Sequence, residues 1–535
     1  MSSARAGRRK VPGLIKFSAR FRDGLALRTL ASVLSRYGCL LVVALAGCKR
    51  HAAPQRATKP EPKPAYDWTP PPPSAVSPKA PSASAAAPPR SRAARREACE
   101  FTAGALAEQT LAEDQPTGQR IPIDHFVVVM QENRSFDHYF QGLPKFGVNA
   151  DVAPPEYHNP NQKTGHDVNL FHQTALCAKD VRHDWNSAHA QYGDGKMDGF
   201  VNTSNPHGER ALGYYEASEL PYYYQLASTF AIGDRYFASI LGPTWPNRMF
   251  FNSASSFGHI GNTAPPGQAE EPSLFHQLQQ RGIEWVVYAE GMTFEEKIFR
   301  HLHDEKGDHF KDIDGFFEDA KKNTLPAYVW VESSYGGPDA TDEHPPADVE
   351  LGQEFVARVI DALMKSPAWA HSALFIMYDE PGGFFDHVPP PPACPPDKIE
   401  PLLEKRHVRG RFDRLGMRVP FIVVSPFAKA HYVSHQVLSH TSVLRMVQAR
   451  FGLPALSARD ANSDVPYDLF DFAHPPFLVP PALPPAPVNE ALHKACQQKF
   501  RKKKKAGKTV DVPDYGTPEP VSDPEGPPDE PAPAH

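Results

Sequence analysis

Five short apolar runs constrain the fold of this chain most strongly. The runs are continuous rather than alternating, which is the pattern of strands buried on both faces of a sheet. They are the segments 123–130, 285–288, 327–331, 373–378 and 419–424. Helical patterns such as 349–364 and 441–451 lie between them. This alternation predicts an α/β fold with a mainly parallel central sheet flanked by helices.

Two dense polar clusters follow two of these runs. Glu132 and Asn133 come shortly after the first run, and Asp379 and Glu380 come directly after the fourth. Because a parallel sheet presents ligand-binding residues beyond the carboxyl ends of its strands, we expect the clusters to meet. Carboxylate and amide oxygens suit a hard or borderline divalent cation. Either cluster alone would favour helix capping and surface ion pairs, but the two together favour a metal site.

The first 47 residues are typical of an export signal. A basic segment precedes the apolar run 39–45, and small residues lead to Cys48, in the order of a secretory signal peptide. Leu45-Ala46-Gly47-Cys48 resembles a bacterial lipoprotein box, so Cys48 is the predicted lipidation site. A plain signal peptide is the alternative. We therefore expect an exported protein, anchored in the cell envelope facing the periplasm or the cell surface, or secreted.

Composition divides the rest of the chain into three parts. Residues 48–98 are rich in Pro, Ala and Ser and predict a disordered tether. Residues 99–485 can bury the core of one catalytic domain, and residues 486–535 predict a disordered tail that is basic and then acidic and Pro-rich. The formal net charge is −5, which argues against a nucleic-acid partner. The sequence carries no signal of oligomeric state.

Four cysteines remain after Cys39 and Cys48 are set aside. In an exported protein they favour two disulfides, for which three pairings are open; free buried cysteines are the alternative. These four are Cys99, Cys177, Cys394 and Cys496.

Motifs spread over residues 121–480 resemble the bacterial phosphoesterase family that holds phospholipases C and an acid phosphatase branch. The longest match is ENRSFDHYF at 132–140. The others follow in family order: HDW (183–185), MDGF (197–200), GPTWPNR (242–248), DEHPP (342–346), DE (379–380), GGFFDH (382–387) and SHTS (439–442). Pro381 stands where the family usually has a histidine, which leaves the details of the metal site open.

The resemblance implies an alkaline phosphatase-like fold, one divalent metal ion of unspecified identity, and roles for the catalytic and metal-binding residues; the substrate-binding residues are our own prediction. The predicted catalytic residues, the first as nucleophile, are Thr244, His183 and His344. The predicted metal ligands are Glu132, Asn133, Asp379 and Glu380. The predicted substrate-binding residues are Asn247, Arg248 and His387.

The chemistry of these residue types agrees with the implied roles. A threonine hydroxyl needs a metal or a base beside it to act as a nucleophile, and an imidazole can protonate a leaving alkoxide. In isolation, Thr244 after Gly-Pro is typical of a turn, and His344 before two prolines is typical of a surface loop. Arg248 is as well suited to a carboxylate partner as to a phosphate.

The leading hypothesis is a phospholipase C that acts on phospholipid head groups through a covalent phospho-threonine intermediate. Thr244 and the lipid tether favour it, and the expected partners are a phospholipid or other phosphate ester and a membrane reached through the lipid anchor. An acid phosphatase-like phosphomonoesterase is the alternative. A third hypothesis is a non-catalytic lipoprotein. The retained site residues argue against it.

Overall fold

The computed structural model describes residues 90–262, 272–304 and 307–505. The predicted signal peptide, Cys48, most of the predicted tether and the acidic end of the tail lie outside the described residues. Within the described ranges, no helix combines the length and the apolar content needed to cross a membrane.

The described residues form short strands and helices in alternation. The strands are β1 (His125–Gln131), β2 (His158–Asn161), β3 (His166–Asn169), β4 (Phe171–His172), β5 (Gly213–Tyr214), β6 (Ala231–Gly233), β7 (Tyr236–Phe237), β8 (Trp285–Ala289), β9 (Phe310–Asp312), β10 (Tyr328–Glu332), β11 (Ser372–Tyr378), β12 (Phe421–Val424), β13 (Tyr432–Ser434) and β14 (Leu438–Ser439). The α-helices are α1 (Arg92–Glu97), α2 (Ala107–Thr110), α3 (Phe136–Phe140), α4 (Trp185–Tyr192), α5 (Phe200–Thr203), α6 (Pro221–Thr229), α7 (Thr244–Ser253), α8 (Leu274–Gln280), α9 (Phe294–Ile298), α10 (Arg300–Asp304), α11 (Ile313–Lys322), α12 (Val349–Lys365), α13 (His440–Phe451), α14 (Ala458–Ala461) and α15 (Glu490–Lys505). Short 3₁₀ segments are Gly118–Arg120, Leu143–Phe146, Gly193–Gly195, Gly208–Leu212, Pro367–His371 and Pro466–Leu469.

One large sheet organises the described residues, with strand order β13-β6-β12-β11-β1-β10-β8-β9. The strands from β11 to β9 in this order pair in parallel. β12 is antiparallel to both of its neighbours, β11 and β6, and β13 is parallel to β6. A single strand of this sheet therefore runs against the others, and the prediction of a mainly parallel sheet is confirmed.

All five predicted apolar runs are strands of this sheet: β1, β8, β10, β11 and β12. Every residue of the last four, and every residue of β1 after His125, is buried. Burial on both faces explains why the runs do not alternate. In the register of β1 with β11, Gln131 lies opposite Tyr378. The two strands therefore end level, which brings Glu132 and Asp379 to the same edge of the sheet.

Amphipathic helices cover the sheet. The buried positions of α12 include Phe355, Val359 and Leu363, at the spacing of one helical face. They join the same apolar cluster as the strands and as Val443 and Leu444 of α13. Both helices were predicted from the sequence at nearly these bounds.

Two predicted boundaries need correction, because ordered structure extends beyond 99–485. Helix α1 lies inside the predicted tether, and its Arg96 is buried and donates to Thr110 O at 2.7 Å and to Asp464 Oδ1 at 2.6 Å. Helix α15 lies inside the predicted disordered tail. Local composition did not predict either helix, because contacts with distant parts of the chain stabilise both.

The disulfides show this dependence on distant contacts. Of the three open pairings, the structure has Cys99–Cys394 and Cys177–Cys496, which join positions 295 and 319 residues apart. The second one fastens α15, where Cys496 and Phe500 are buried together with Cys177.

Candidate active site

The site begins where β1 and β11 end. The Asn133 backbone N–H donates to Asp379 Oδ1 at 2.9 Å, and the Asn133 side-chain amide donates to Glu132 Oε2 at 2.6 Å. Asn133 has φ 65°, a left-handed conformation that asparagine tolerates better than most residues. Gly382, at φ +62°, packs against this turn, and a Cβ there would lie 2.2 Å from the Asn133 carbonyl oxygen. A glycine is therefore required for the two strand ends to approach.

Thr244 reaches this cluster from the first position of α7. Its hydroxyl donates to Glu132 Oε2 at 3.3 Å. The side chain is fully buried. The structure thus brings the predicted nucleophile into direct contact with Glu132, the predicted metal ligand that follows β1.

Asn247 holds the turn before Thr244 and does not face a substrate. Its Oδ1 accepts from the backbone N–H groups of Ser239 and Ile240, and its Nδ2 donates to the carbonyls of Gly242 and Pro243. These four bonds use its hydrogen-bonding capacity. The prediction that Asn247 binds substrate is therefore replaced by a positioning role for the loop that carries Thr244.

The predicted metal ligands carry acceptor atoms without partners. Asn133 Oδ1, Asp379 Oδ2 and Glu380 Oε1 are buried and have no hydrogen-bond partner among the described residues. An unsatisfied buried acceptor costs about 1–3 kcal/mol, so three in the predicted ligand set indicate that something else satisfies them. Carboxylate and amide oxygens are ligands for a divalent cation, and the residues present fit such an ion.

The electrostatics of these carboxyl groups point the same way. Burial, and then the charge of Glu132, raise the pKa of Asp379 well above its ordinary value, while Arg248 opposes the shift. Burial, and then Asp379, raise the pKa of Glu380 well above its ordinary value. The cationic groups of the protein alone therefore do not balance the negative charge of these carboxylates.

Glu380 lies next to one of the predicted catalytic histidines. The carboxylate oxygens of Glu132, Asp379 and Glu380 do not all lie within 4.8 Å of one another. Instead, Glu380 Oε1 lies 3.6 Å from His183 Nε2. Glu380 thus connects the oxygen cluster to the predicted catalytic histidines.

Those two histidines lie side by side, with ring centroids 5.6 Å apart. Val181 O lies 2.6 Å from His183 Nδ1 and Pro345 O lies 2.7 Å from His344 Nδ1. Because a carbonyl can only accept, each neutral ring carries its proton on Nδ1. Burial lowers the pKa of His344, which favours its neutral form.

Asp180 joins this pair and was missed by the sequence analysis. Ligand-type atoms of Asp180, His183 and His344 all lie within 4.8 Å of one another. Asp180 lies three residues before His183 and belongs to no motif that we identified, so only the fold reveals its place.

Arg248 is an anchor for carboxylates, not a residue that binds substrate. Its guanidinium contacts Glu132 Oε1 at 2.6 Å and Glu332 Oε1 at 2.9 Å, and lies 3.6 Å from Glu295 Oε1. All four side chains are fully buried. Although burial opposes its charge, Glu332 and Glu132 raise the pKa of Arg248. The sequence allowed either a carboxylate or a phosphate as the partner of Arg248, and in the structure its partners are carboxylates.

His387 also departs from its predicted substrate-binding role. Its Nδ1 lies 2.6 Å from Asp137 Oδ2 and its Nε2 lies 3.3 Å from Asp151 Oδ1. Arg418 contacts Asp137 and Asp386 at 2.8 and 2.9 Å, so this cluster has its own cation. Both ring nitrogens of His387 are thus engaged by carboxylates.

A buried carboxylate beneath the site, Glu343, ties its segments together. It accepts hydrogen bonds from three tyrosine hydroxyls and one amide: Tyr139, Tyr223, Tyr378 and Gln131. Gln131 and Tyr378 are the last residues of β1 and β11, directly before the predicted metal ligands. Glu343 also lies next to His344 in sequence, at φ 69°. Its carboxylate therefore links the two strand ends to the loop that carries a catalytic histidine.

Comparison with known proteins assigns this geometry to a family. The model of the phosphoesterase family matches residues 123–454. The chain belongs to this phosphoesterase family. This membership agrees with the resemblance that the motifs carry.

Similar sequences include three phospholipases C. Phospholipase C B of Mycobacterium tuberculosis is 30% identical over 436 residues, which are 70% of this chain and 82% of that protein. Hemolytic phospholipase C of Pseudomonas aeruginosa is 30% identical over 408 residues, 64% of this chain and 54% of that protein. Non-specific phospholipase C1 of Arabidopsis thaliana is 33% identical over 371 residues, 64% of this chain and 69% of that protein. This chain thus spans about half the length of the Pseudomonas protein.

Solved structures are much less similar. They include a protein in the alkaline phosphatase superfamily from Vibrio parahaemolyticus, at 10% identity and TM-score 0.32 over 69% of this chain and 96% of that one. The lipoteichoic acid synthase LtaP from Listeria monocytogenes has the same identity and TM-score over 70% of this chain and 82% of that one. At TM-scores this low, the family assignment depends on the family model and the sequence relatives.

Proposed function

We propose that this chain is an exported phospholipase C that cleaves the ester between diacylglycerol and the phosphorylated head group through a covalent phospho-threonine. The observation that carries the proposal is the contact of Thr244 with Glu132, beside three buried oxygens that lack partners. The phospholipases C among the sequence relatives support the substrate class.

The metal site would consist of Glu132, Asn133, Asp379 and Glu380. A divalent ion there supplies positive charge that makes a hydroxyl more acidic and offsets the charge of phosphoryl oxygens. The other requirements of phosphoryl transfer are position and charge stabilisation, and these come from the protein. Arg248 positions Glu132, and Asn247 positions the turn before Thr244.

In the first half of the reaction, Thr244 Oγ1 forms a bond to phosphorus and the bond to the diacylglycerol oxygen breaks. The hydroxyl proton passes to Glu132 Oε2, which already accepts it in a hydrogen bond. The leaving alkoxide takes a proton from a protonated histidine Nε2, and His183 is placed for this beside Glu380.

In the second half, water attacks phosphorus, the bond to Thr244 Oγ1 breaks, and the phosphorylated head group leaves. The neutral tautomers of His183 and His344 carry their proton on Nδ1, so a ring Nε2 can take the proton of the attacking water. The proton held by Glu132 returns to Thr244. The enzyme is then restored.

Export and lipid anchoring are part of this proposal and depend on the first 48 residues. The Cys99–Cys394 and Cys177–Cys496 disulfides support export, since disulfides persist in oxidising compartments.

The decisive experiment compares two soluble chromogenic esters, a choline phosphodiester and a simple phosphomonoester, with and without chelator. We expect turnover of the diester to exceed that of the monoester, and chelator to abolish both. Turnover of the monoester alone would favour the acid phosphatase-like alternative. Turnover of neither ester with metal present would favour the non-catalytic lipoprotein.

A further inference from the structure

A loop formed by residues 397–411 exposes an unusual group of apolar side chains. Ile399, Leu402, Leu403 and Val408 are all exposed, Leu402 by 58%. Elsewhere in the described ranges, no stretch of ten residues exposes more than two large apolar side chains. A group of this kind on a soluble domain marks a contact surface.

The same loop is basic within an acidic protein. Its five basic residues are Lys398, Lys405, Arg406, Arg409 and Arg411. Its three acids are Asp397, Glu400 and Glu404, so the loop carries a net charge of +2 while the whole chain carries −5. Apolar side chains among basic ones are the composition of a surface that binds anionic lipid.

One end of the loop is attached to the segment that follows α7. Asp397 Oδ2 accepts from Ser255 Oγ at 2.6 Å, and the Leu402 N–H donates to Gly258 O at 2.8 Å. Gly258 has φ +87°, and a Cβ there would lie 3.0 Å from Glu400 O, so a glycine allows the close approach. Helix α7 begins with the predicted nucleophile, Thr244.

The other end of the loop is attached to α4. Val408 O accepts from Trp185 Nε1 at 3.1 Å, and the Val408 N–H donates to Asn186 Oδ1 at 2.9 Å. Asn186 Nδ2 donates in turn to Arg406 O at 3.0 Å. Helix α4 begins two residues after His183. The loop therefore rests on the segment after the C-terminal end of α7, whose N-terminal end carries Thr244, and on the beginning of α4 next to His183.

Resting on the phospholipase C function proposed above, we propose that the 397–411 loop is a docking surface for an anionic phospholipid bilayer. Its exposed leucines enter the interfacial region of the bilayer, and its basic side chains lie at the level of the anionic head groups. Since one end of the loop is fixed beside His183 and the other end to the segment that α7 connects to Thr244, docking holds the catalytic domain with its site toward the lipid layer that contains the substrate.

The test is sedimentation of the full chain with vesicles, using protein with Cys48→Ala so that no acyl chain contributes. Vesicles of phosphatidylcholine alone are compared with vesicles that also contain phosphatidylserine. We expect stronger binding to the anionic vesicles, weakened by salt. Leu402→Ser with Leu403→Ser should weaken vesicle binding by at least about tenfold, because two leucines no longer leave water. Turnover of a soluble choline phosphodiester should not change.

The matched control makes the same change at two exposed apolar residues outside the loop. Leu478 and Val479 are exposed by 55% and 83%, and Leu478→Ser with Val479→Ser should leave vesicle binding unchanged. Circular dichroism and thermal melting establish that both double variants fold. The proposal is overturned if the wild type binds no vesicles, if the loop variant binds as tightly as wild type, or if the control variant loses as much binding.

The same data separate this proposal from the proposed function. Loop-dependent vesicle binding without any phosphodiester turnover would support the docking surface and overturn the phospholipase C assignment. Turnover of the soluble diester with loop-independent vesicle binding would overturn the docking surface alone.

Discussion

Threonine is common in ordinary turns, but the surroundings of Thr244 are those of a nucleophile. Its hydroxyl is fully buried and donates to a carboxylate that Arg248 holds in place. A buried hydroxyl that donates to a carboxylate has a base within reach of its proton. The surroundings, supplied by β1 and α7, therefore determine the role of this residue.

We expect Thr244→Ala to abolish turnover and Thr244→Ser to retain most of it, because only serine keeps an attacking oxygen. Loss of one hydrogen bond should lower the free energy of unfolding of the alanine variant by about 1 kcal/mol, which leaves the fold intact. Rapid acid quenching followed by mass spectrometry should detect a phosphorylated peptide containing position 244 in the wild type. Near-wild-type turnover by Thr244→Ala would make water, not threonine, the nucleophile.

Asp379→Asn tests the metal site through binding rather than through activity. The variant removes a buried negative charge beside Glu132, so in chelator it should melt at a higher temperature than the wild type does. Its affinity for a divalent ion should fall by at least about 10–100-fold, the loss that changing an outer-shell partner already causes, which reduces the stabilisation that metal provides. Calorimetric titration and thermal melting measure the two effects.

Asp460→Asn is the matched control for this prediction. Asp460 is a buried carboxylate whose partners are Gln448 and the backbone N–H groups of Leu456 and Ser457. It lies outside the predicted ligand set, and its loss should leave metal affinity unchanged. Equal affinities of wild type and Asp379→Asn would remove Asp379 from the site.

At the scale of secondary-structure elements, Glu343 couples three parts of the site. We expect Glu343→Gln to lower the free energy of unfolding by about 1–3 kcal/mol and also to weaken metal binding, although Glu343 is not among the predicted metal ligands. The reason is that its carboxylate holds the last residues of β1 and β11 together. Thermal melting and metal titration are the measurements.

The control variant removes a hydrogen bond to Glu343 from a residue whose own helix carries no predicted site residue. Tyr223 lies on α6 and donates to Glu343. Tyr223→Phe should lower the melting temperature and leave metal affinity unchanged. If Glu343→Gln behaves in the same way, Glu343 stabilises the fold without positioning the metal ligands.

The sequence predicted the elements and the strand-end residues because both follow local rules. Continuous apolar runs identified β1 and β11, and the level ends of parallel strands implied that Glu132 and Asp379 meet. No local rule predicts the contacts of Glu343 with partners 120–212 residues away, or the contact of Glu332 with Arg248, 84 residues away. We also predicted substrate-binding roles for Asn247 and Arg248, whereas their contacts are within the protein.

The disulfide that holds α15 gives a second prediction for elements. Cys177→Ser with Cys496→Ser should lower the free energy of unfolding by about 2–5 kcal/mol, since it opens a long loop in the unfolded chain. It should also make α15 sensitive to protease. The corresponding pair Cys99→Ser with Cys394→Ser opens a loop of similar length and should destabilise comparably while α15 stays resistant. Equal protease sensitivity of α15 in both variants would mean that the Cys177–Cys496 bond does not hold the helix locally.

At the scale of the whole molecule, the proposed anchor and the proposed docking surface act at different ranges. The proposed lipid would keep the protein at a membrane, and the 397–411 loop would orient the catalytic domain on a lipid surface. The two contributions are separable, because the loop acts through exposed side chains and the anchor through acyl chains on Cys48. Membrane residence should therefore depend mainly on Cys48.

We expect Cys48→Ala to move the protein from the membrane fraction to the soluble fraction of the producing cells. Two or more acyl chains give stable attachment, since each buried methylene contributes about 0.8 kcal/mol, and the variant has no site for them. Cys39→Ala is the matched control, because Cys39 lies in the apolar run of the predicted signal and would be removed with it under the lipoprotein hypothesis. The measurement is fractionation of cells at high salt, which suppresses electrostatic docking through the loop. Wild-type protein that is already soluble at high salt without detergent would contradict the lipoprotein hypothesis.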